Sequence, residues 1–184
     1  MKATGIVRRI DDLGRVVIPK EIRKTLRIRE GDPLEIYTDN NGEIILKRYS
    51  PIEELGEFAK EYADALSKTS GHTACITDKN YVIAVAGGSK KEYLEKPLSN
   101  QLEKVIEGRK NIVARGPEDN PIKIVENEVP DRQYTSQVIT PIIAEGDTIG
   151  SVIFLSTDPK VHMNDVEIKL AESAAGFLGR QMEH

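Results

Sequence analysis

Residues 4–26 of the chain have the sequence TGIVRRIDDLGRVVIPKEIRKTL, and this stretch decides how the first part of the protein folds. Its β-branched residues are typical of strands, because branched side chains pack well on a pleated surface. Gly14 interrupts the stretch and marks a boundary between two strand signals. We therefore predict one strand over residues 3–10 and a second over residues 14–18.

A short helix and a hairpin follow these strands. Pro19 can open the helix, since proline at the first helical position loses no hydrogen bond. Ile22 and Leu26 then lie four positions apart, on one helical face. Farther along, two strand-like runs flank Asn41 and Gly42, a pair that tolerates the positive φ angles of a type I′ turn. The predicted order of this first unit is ββαββ.

The unit that these elements form, residues 1–50, is small for a domain that folds alone. Domains under about 60 residues bury a low fraction of their surface and usually need a metal, disulfide bonds or a partner chain. The range contains no cysteine and no histidine, which excludes disulfide bonds and a zinc-finger site. We expect residues 1–50 to form a dimer.

The charges of the chain are divided unevenly. Residues 1–29 contain 9 basic and 3 acidic residues, although the whole chain has a net charge of −4. A basic block on an acidic chain is typical of a contact with a polyanion such as nucleic acid. The alternative is a solvated basic face without a partner.

Residues 14–19, GRVVIP, followed by EIR at residues 21–23, closely resemble the swapped-hairpin DNA-binding module of the AbrB family of transition-state and sporulation regulators. The resemblance covers nearly all of residues 1–50. It implies that two chains interleave their hairpins into one dimeric, β-barrel-like body, whose basic face lies against the major groove of double-stranded DNA. Carried over by position, the DNA-binding residues are Arg8, Arg9, Arg15, Arg23 and Lys24.

These five cations differ in how far their own positions support that role. Arg15 alternates with Val16, so the arginine can face outward from the predicted strand while the valine faces inward. Arg8 and Arg9 are consecutive, and at least one of them could serve the dimer interface or solvent instead. The family often has arginine where this chain has Lys24, and lysine lacks the bidentate fork that reads guanine.

Residues 51–184 are predicted to fold as a second domain, which makes the fold class α+β. An amphipathic helix over residues 53–68 opens this domain, and a helix over residues 164–182 ends it, with a capping box between Asn164 and Glu167. Between them we predict strands over residues 73–76 and 81–86, a helix capped by Ser99, a short strand over residues 122–125, and a hairpin of residues 136–143 and 148–155. This order resembles a GAF-type sensor domain, which implies an antiparallel sheet with flanking helices.

No residue pattern in the second domain indicates catalysis. Cys75 alternates in a buried-looking strand and is interpreted as a core thiol. Residues 87–91, GGSKK, lack the spacing of a Walker phosphate loop and are interpreted as a strand exit with a basic loop. His72 and His162 belong to no metal or nucleophile motif. We predict no enzyme activity, no metal site and no cofactor, and the GAF resemblance leaves open a small-molecule effector of unknown identity.

The two long helices of the second domain carry apolar stripes that could pair with a second copy. Pairing there, added to dimerisation through residues 1–50, would make the chain a tetramer. The alternative is that the stripes only cover the sheet of their own chain.

The chain is interpreted as a homo-oligomeric transcriptional regulator that binds double-stranded DNA. Its longest uncharged apolar run, residues 149–155, is too short for a membrane span, and the N-terminus lacks the apolar core of a signal peptide, so we expect a cytoplasmic, nucleoid-associated protein. Two alternatives remain at this point. One is an antitoxin of the MazE type, which binds DNA and a toxin, and the other is a structural nucleoid protein without regulated promoters.

Overall fold

The computed structural model describes residues 5–128 and 133–183, which form an α+β protein of two compact units dividing between Tyr49 and Ser50. In the first unit, helix α1 spans Lys20–Thr25, and strands β1, Leu34–Thr38, and β2, Ile44–Arg48, form an antiparallel pair. Among the described residues, no helix combines the length and the apolarity needed to cross a membrane.

The two strands predicted before α1 are not formed in the described chain. Residues 3 and 4 lie outside the described residues, and residues 5–18 contain neither strand nor helix. A strand needs a neighbouring strand for its N–H and C=O groups, and the described ladder of this unit joins β1 only to β2. The apolar side chains of the segment stay exposed, among them Val7 at 88% and Val17 at 70%.

The turn between β1 and β2 is also different from the prediction. Its glycine, Gly42, has φ 80°, but Asn41 is not among the residues with positive φ, so the turn is not of type I′. The Asp39 N–H donates to the Glu43 carbonyl at 3.2 Å, which leaves three residues in the loop. The arrangement is the longer hairpin loop that ends in a left-handed glycine.

The second unit contains a five-stranded sheet, five α-helices and one short 3₁₀ helix, Pro117–Asp119, among its described residues. Its elements in chain order are α2 Pro51–Glu54, α3 Gly56–Ser70, β3 Thr73–Asp78, β4 Val82–Ala86, α4 Lys90–Tyr93, α5 Asn100–Glu107, β5 Ile112–Ala114, β6 Ser136–Ala144, β7 Asp147–Ser156 and α6 Asp165–Gln181. The sheet is antiparallel throughout, with the strand order β4-β3-β7-β6-β5.

Both faces of this sheet are covered. Helices α3 and α6 pack on one face, where the fully buried Phe154 of β7 and Leu178 of α6 belong to one apolar core. Helix α5 covers the other face, where Leu102 and Ile139 belong to a second core. The sheet therefore lies between two helical layers.

Local signals in the sequence placed the first turns of α5 and α6 correctly. The carboxamide oxygen of Asn164 accepts the Val166 N–H at 3.0 Å, and Glu167 completes the predicted capping box. The Ser99 hydroxyl accepts the Leu102 N–H at 3.1 Å and caps α5. These predictions are confirmed.

The short strand predicted over residues 122–125 is wrong, apart from a single bridge between Val125 and Leu98. Side chains form hydrogen bonds with the backbone N–H and C=O groups that would otherwise pair with a neighbouring strand. The Gln137 carboxamide accepts the Ile122 N–H and donates to the Ile122 carbonyl, both at 3.0 Å. The Glu128 carboxylate accepts the Ile124 N–H at 2.7 Å. Elements α4 and β5, four and three residues long, were not predicted. The single helix predicted over residues 53–68 is divided at Leu55 into α2 and α3.

Two glycines of α6 are expected to respond oppositely to alanine. A Cβ on the buried Gly179 would lie 2.1 Å from the Ile143 carbonyl oxygen of β6, a backbone atom that cannot move aside, whereas a Cβ on the exposed Gly176 meets nothing within 4 Å. We expect Gly179→Ala to lower the free energy of unfolding by about 2 kcal/mol. Gly176→Ala should raise it by up to about 1 kcal/mol, because alanine is the better helix former. Urea denaturation measures both, and equal effects would contradict the close packing of α6 on β6.

Candidate nucleic-acid interface

A tight turn holds Arg15 at the surface of the first unit. The Asp11 carboxylate oxygen Oδ1 accepts the Leu13 N–H at 3.0 Å and the Arg15 N–H at 2.7 Å. The Asp11 N–H donates to the Arg15 carbonyl at 3.0 Å, and Gly14 adopts φ 77°. The chain therefore reverses direction within five residues, with Arg15 at the end of the turn.

The side chain of Arg15 is oriented by the same aspartate. Its Nε donates to Asp11 Oδ2 at 2.9 Å, while the arginine side chain remains 69% exposed. Hydrogen bonds from the Arg15 backbone N–H, and then from its side chain, lower the pKa of the Asp11 carboxyl below its ordinary value. The carboxylate therefore stays ionised at neutral pH, and it lies beside an arginine that is accessible from outside.

Helix α1 carries two further candidates, Arg23 and Lys24, in its last turn. Lys24 is exposed, whereas Arg23 is half-buried. The Arg23 Nε is buried and has no hydrogen-bond partner among the described residues. A buried donor without a partner costs about 1–3 kcal/mol, so this nitrogen would gain from an acceptor supplied by another molecule.

Arg8 and Arg9 precede the turn in the segment without regular structure, and both are exposed. Consecutive residues of a strand point to opposite faces of a sheet, but this does not separate Arg8 from Arg9 in the single chain, because no strand forms there. The predicted set thus lies on three local elements of the first unit: the segment before the turn, the turn itself and α1. Sequence reasoning missed Asp11, whose spacing of three residues from Gly14 is the signal that could have identified the turn.

The second unit has a polar cleft at one end of its sheet. The cleft has a volume of about 340 Å³, and its lining includes His72, Thr73, Glu92 and Asp158 together with residues 87–89, which leave β4. Among the described residues, no group of three or more His, Cys, Asp or Glu side chains could hold a metal ion. Burial raises the pKa of the Cys75 thiol to about 12, so it is a neutral side chain within the core.

Relatives of known identity cover the whole chain. It is 56% identical over 183 residues to stage V sporulation protein T of Bacillus subtilis (strain 168), and the match covers 100% of this chain and 99% of that protein. The family described as stage V sporulation protein T C-terminal, transcription factor, matches residues 54–183. The chain belongs to the stage V sporulation protein T family. It is a transcriptional regulator of sporulation.

The N-terminal unit of this family member has further relatives. Over 51 residues, 28% of this chain, it is 65% identical to the transition state regulatory protein AbrB of the same organism, and the match spans 52% of AbrB. The family described as antidote-toxin recognition MazE, bacterial antitoxin, matches residues 7–54. The AbrB-like character of the first unit is therefore confirmed at the level of sequence.

Solved structures share the fold of the second unit. The GAF domain of an Acinetobacter phosphoenolpyruvate-protein phosphotransferase superposes with a TM-score of 0.59 at 9% identity, over 71% of this chain and 82% of that one. The GAF domain of the corresponding Coxiella burnetii protein gives a TM-score of 0.57 at 18% identity, over 71% and 83%. At such identities the likeness establishes the fold alone, and the predicted GAF-like sheet is confirmed.

Proposed function

We propose that this member of the stage V sporulation protein T family regulates sporulation genes by binding double-stranded DNA through residues 1–50, with Arg8, Arg9, Arg15, Arg23 and Lys24 at the interface. The observation that carries the proposal is an exposed arginine, Arg15, held at the surface by a turn in the stretch that is 65% identical to AbrB. Cations of this kind neutralise phosphates, and arginine also reads guanine. A regulator of this kind acts in the cytoplasm, at the nucleoid.

The proposed DNA-binding form is a dimer of residues 1–50. Apolar side chains that a stable unit would bury are exposed in the described part of this unit, including Ile10 at 69%, Ile36 at 68% and Ile44 at 69%. Residues 5–18 also have the composition of strands, but no neighbouring strand pairs with them in the described chain. A second copy that interleaves its own segment would supply both the missing strand neighbours and the apolar contacts.

Residues 51–184 are proposed as a sensor and as a second site of association. An effector would bind in a pocket of the GAF-like domain, and the polar cleft lined by residues 87–89 is the place to test first. Co-purified ligand density in an experimental structure is the direct search. An effector would count as allosteric only if it changed DNA affinity and DNA changed effector affinity by the same factor.

The antitoxin alternative has support only in the match at residues 7–54. Antitoxins of that type usually end in a disordered segment that wraps the toxin. Limited proteolysis of the full chain distinguishes the two functions, because a stable C-terminal fragment supports the sensor and rapid degradation supports the antitoxin. A structural nucleoid protein would instead bind promoter and random duplexes equally, whereas specific regulators typically prefer their sites by about 10³-fold or more.

Binding should depend steeply on salt. If one dimer places about 6–10 basic side chains on phosphates, the slope of log affinity against log salt lies between about −5 and −9. Fluorescence anisotropy with a labelled promoter duplex at several salt concentrations measures the slope. A random duplex of equal length serves as the control for specificity. A slope shallower than about −2 would mean that the basic residues of the unit contribute little to binding.

A further inference from the structure

Two turns of the first unit have the same construction. Each begins with an aspartate, Asp11 or Asp39, and ends four residues later, at Arg15 or Glu43. In both turns the aspartate N–H donates to the carbonyl of the last residue, and the aspartate Oδ1 accepts the N–H groups of the third and fifth residues. The fourth residue of each is a glycine with positive φ. One carboxylate oxygen and the backbone are therefore sufficient to build the turn.

The second carboxylate oxygen is used differently in the two turns. Asp39 Oδ2 accepts the Asn41 Nδ2 at 3.2 Å, within the loop. Asp11 Oδ2 accepts the Arg15 Nε at 2.9 Å, in an ion pair whose side chains are 37% and 69% exposed for aspartate and arginine. Exposed ion pairs contribute little to stability, because solvent screens the attraction and two long side chains must be held in place. Since the Asp39 turn forms without one, the Asp11–Arg15 pair is not needed for the fold.

The geometry of the pair leaves the end of the arginine available. A guanidinium has five N–H donors in one plane, and the contact with Asp11 uses the Nε–H. In a planar guanidinium the outer N–H groups of the two terminal nitrogens point in a different direction from Nε–H, so they remain available as a fork. A fork that is already oriented loses less conformational entropy when it binds a phosphate or the edge of a guanine.

We propose that Asp11 is a positioning residue for DNA recognition, which holds Arg15 so that its two terminal nitrogens meet the duplex as a preformed fork. The proposal rests on the proposed DNA-binding function. It makes a prediction opposite to that of simple electrostatics. An aspartate beside a DNA-binding face repels phosphates, so removing its charge would strengthen binding if the charge alone mattered.

The test replaces each aspartate by asparagine in the full-length protein. At position 11 the new carboxamide keeps a carbonyl oxygen for the turn, but its N–H₂ group then faces the Arg15 Nε–H, and two donors cannot bond. We expect Asp11→Asn to weaken binding of a promoter duplex about tenfold, since a freed rotamer-rich side chain loses conformational entropy when it binds and a dimer has two such side chains. The matched control Asp39→Asn should change the affinity less than twofold, because no cation depends on it. Wild-type binding is measured alongside, and its absence would refute the proposed function itself.

A double-mutant cycle separates positioning from damage to the turn. In the Arg15→Ala background, Asp11→Asn should no longer weaken binding and should strengthen it slightly, because only the repulsion of phosphates remains. In the Arg15→Lys background it should again add no loss, since an ammonium has no fork to orient. If Asp11→Asn binds DNA as tightly as the wild type or more tightly, the proposal is overturned. Equal losses with and without Arg15 would also overturn it, because the aspartate would then act only through the turn.

Discussion

We expect the replacement of Arg15 or Arg23 by alanine to lower the affinity for a promoter duplex about 100-fold and to leave the proposed dimer intact. Each arginine contact with DNA contributes about 1–3 kcal/mol, and a symmetric dimer loses it twice. Lys47→Ala is the matched control, because Lys47 is an exposed cation of the same unit outside the predicted set. Its substitution should change the affinity less than twofold.

Arg23 provides a further distinction between binding and folding. Its buried Nε has no hydrogen-bond acceptor among the described residues. Replacing the side chain by alanine therefore breaks no hydrogen bond made by this nitrogen in the described chain. We expect Arg23→Ala to change the free energy of unfolding by less than about 1 kcal/mol, the contribution of its aliphatic stem, while DNA affinity falls. Anisotropy titrations at physiological salt and sedimentation of each variant are the measurements. Wild-type affinity in either variant would remove that arginine from the interface.

The second unit was predictable because its signals are local. The glycine after α3, Gly71, adopts φ 75° and ends the helix, and Asn164 caps α6 by contacts within three residues. Such signals depend only on neighbouring residues in the chain. The segment at residues 122–125 was mispredicted because its backbone bonds to Gln137, a side chain fifteen residues away.

The first unit was predicted less well, for a physical reason. Val7, Val17 and their neighbours have strand-forming side chains, but a sequence pattern does not provide the neighbouring strand that hydrogen bonding requires. Within one chain the segment stays unpaired, with these residues exposed. The cationic candidates were found from charge and motif. The proposed role of Asp11 could not be predicted from charge or motif. It depends on the contact between the Asp11 carboxylate and the Arg15 Nε, which only the structure gives.

The intact protein should be a tetramer that separates into dimers when Phe177 is replaced by lysine. Phe177 of α6 lies 5.9 Å from Phe58 and 5.6 Å from Tyr62 of α3, measured between ring centroids. Phe177 and Phe58 remain 37% and 39% exposed within the described part of the chain. A helix pair with an exposed aromatic cluster is suited to pack against the same pair of a second copy. A lysine there would place a charge within the interface, which an assembly of this kind does not tolerate.

Glu172→Lys is the control for Phe177→Lys, because it introduces the same residue on α6 at an exposed position that contacts Asn111 instead of the aromatic cluster. Light scattering and sedimentation should give a tetramer for the wild type and Glu172→Lys, and a dimer for Phe177→Lys. The dimer should keep its far-ultraviolet circular dichroism, because the substituted ring is not part of the buried core. A dimeric wild-type chain, with residues 51–184 monomeric as a fragment, would contradict the tetramer.

Loss of the tetramer should weaken DNA binding most for duplexes that carry two binding sites. Two DNA-binding dimers joined in one particle bind the second site at an effective concentration that raises the overall affinity by about 10²–10⁴. Phe177→Lys should therefore bind a duplex with two sites that much more weakly than the wild type, and a duplex with one site equally well. Arg15→Ala should weaken binding to both duplexes, since it acts at the interface itself. If Phe177→Lys is dimeric and still binds both duplexes like the wild type, then association through the second unit does not link the DNA-binding dimers, and residues 51–184 would have to influence DNA binding within a single dimer.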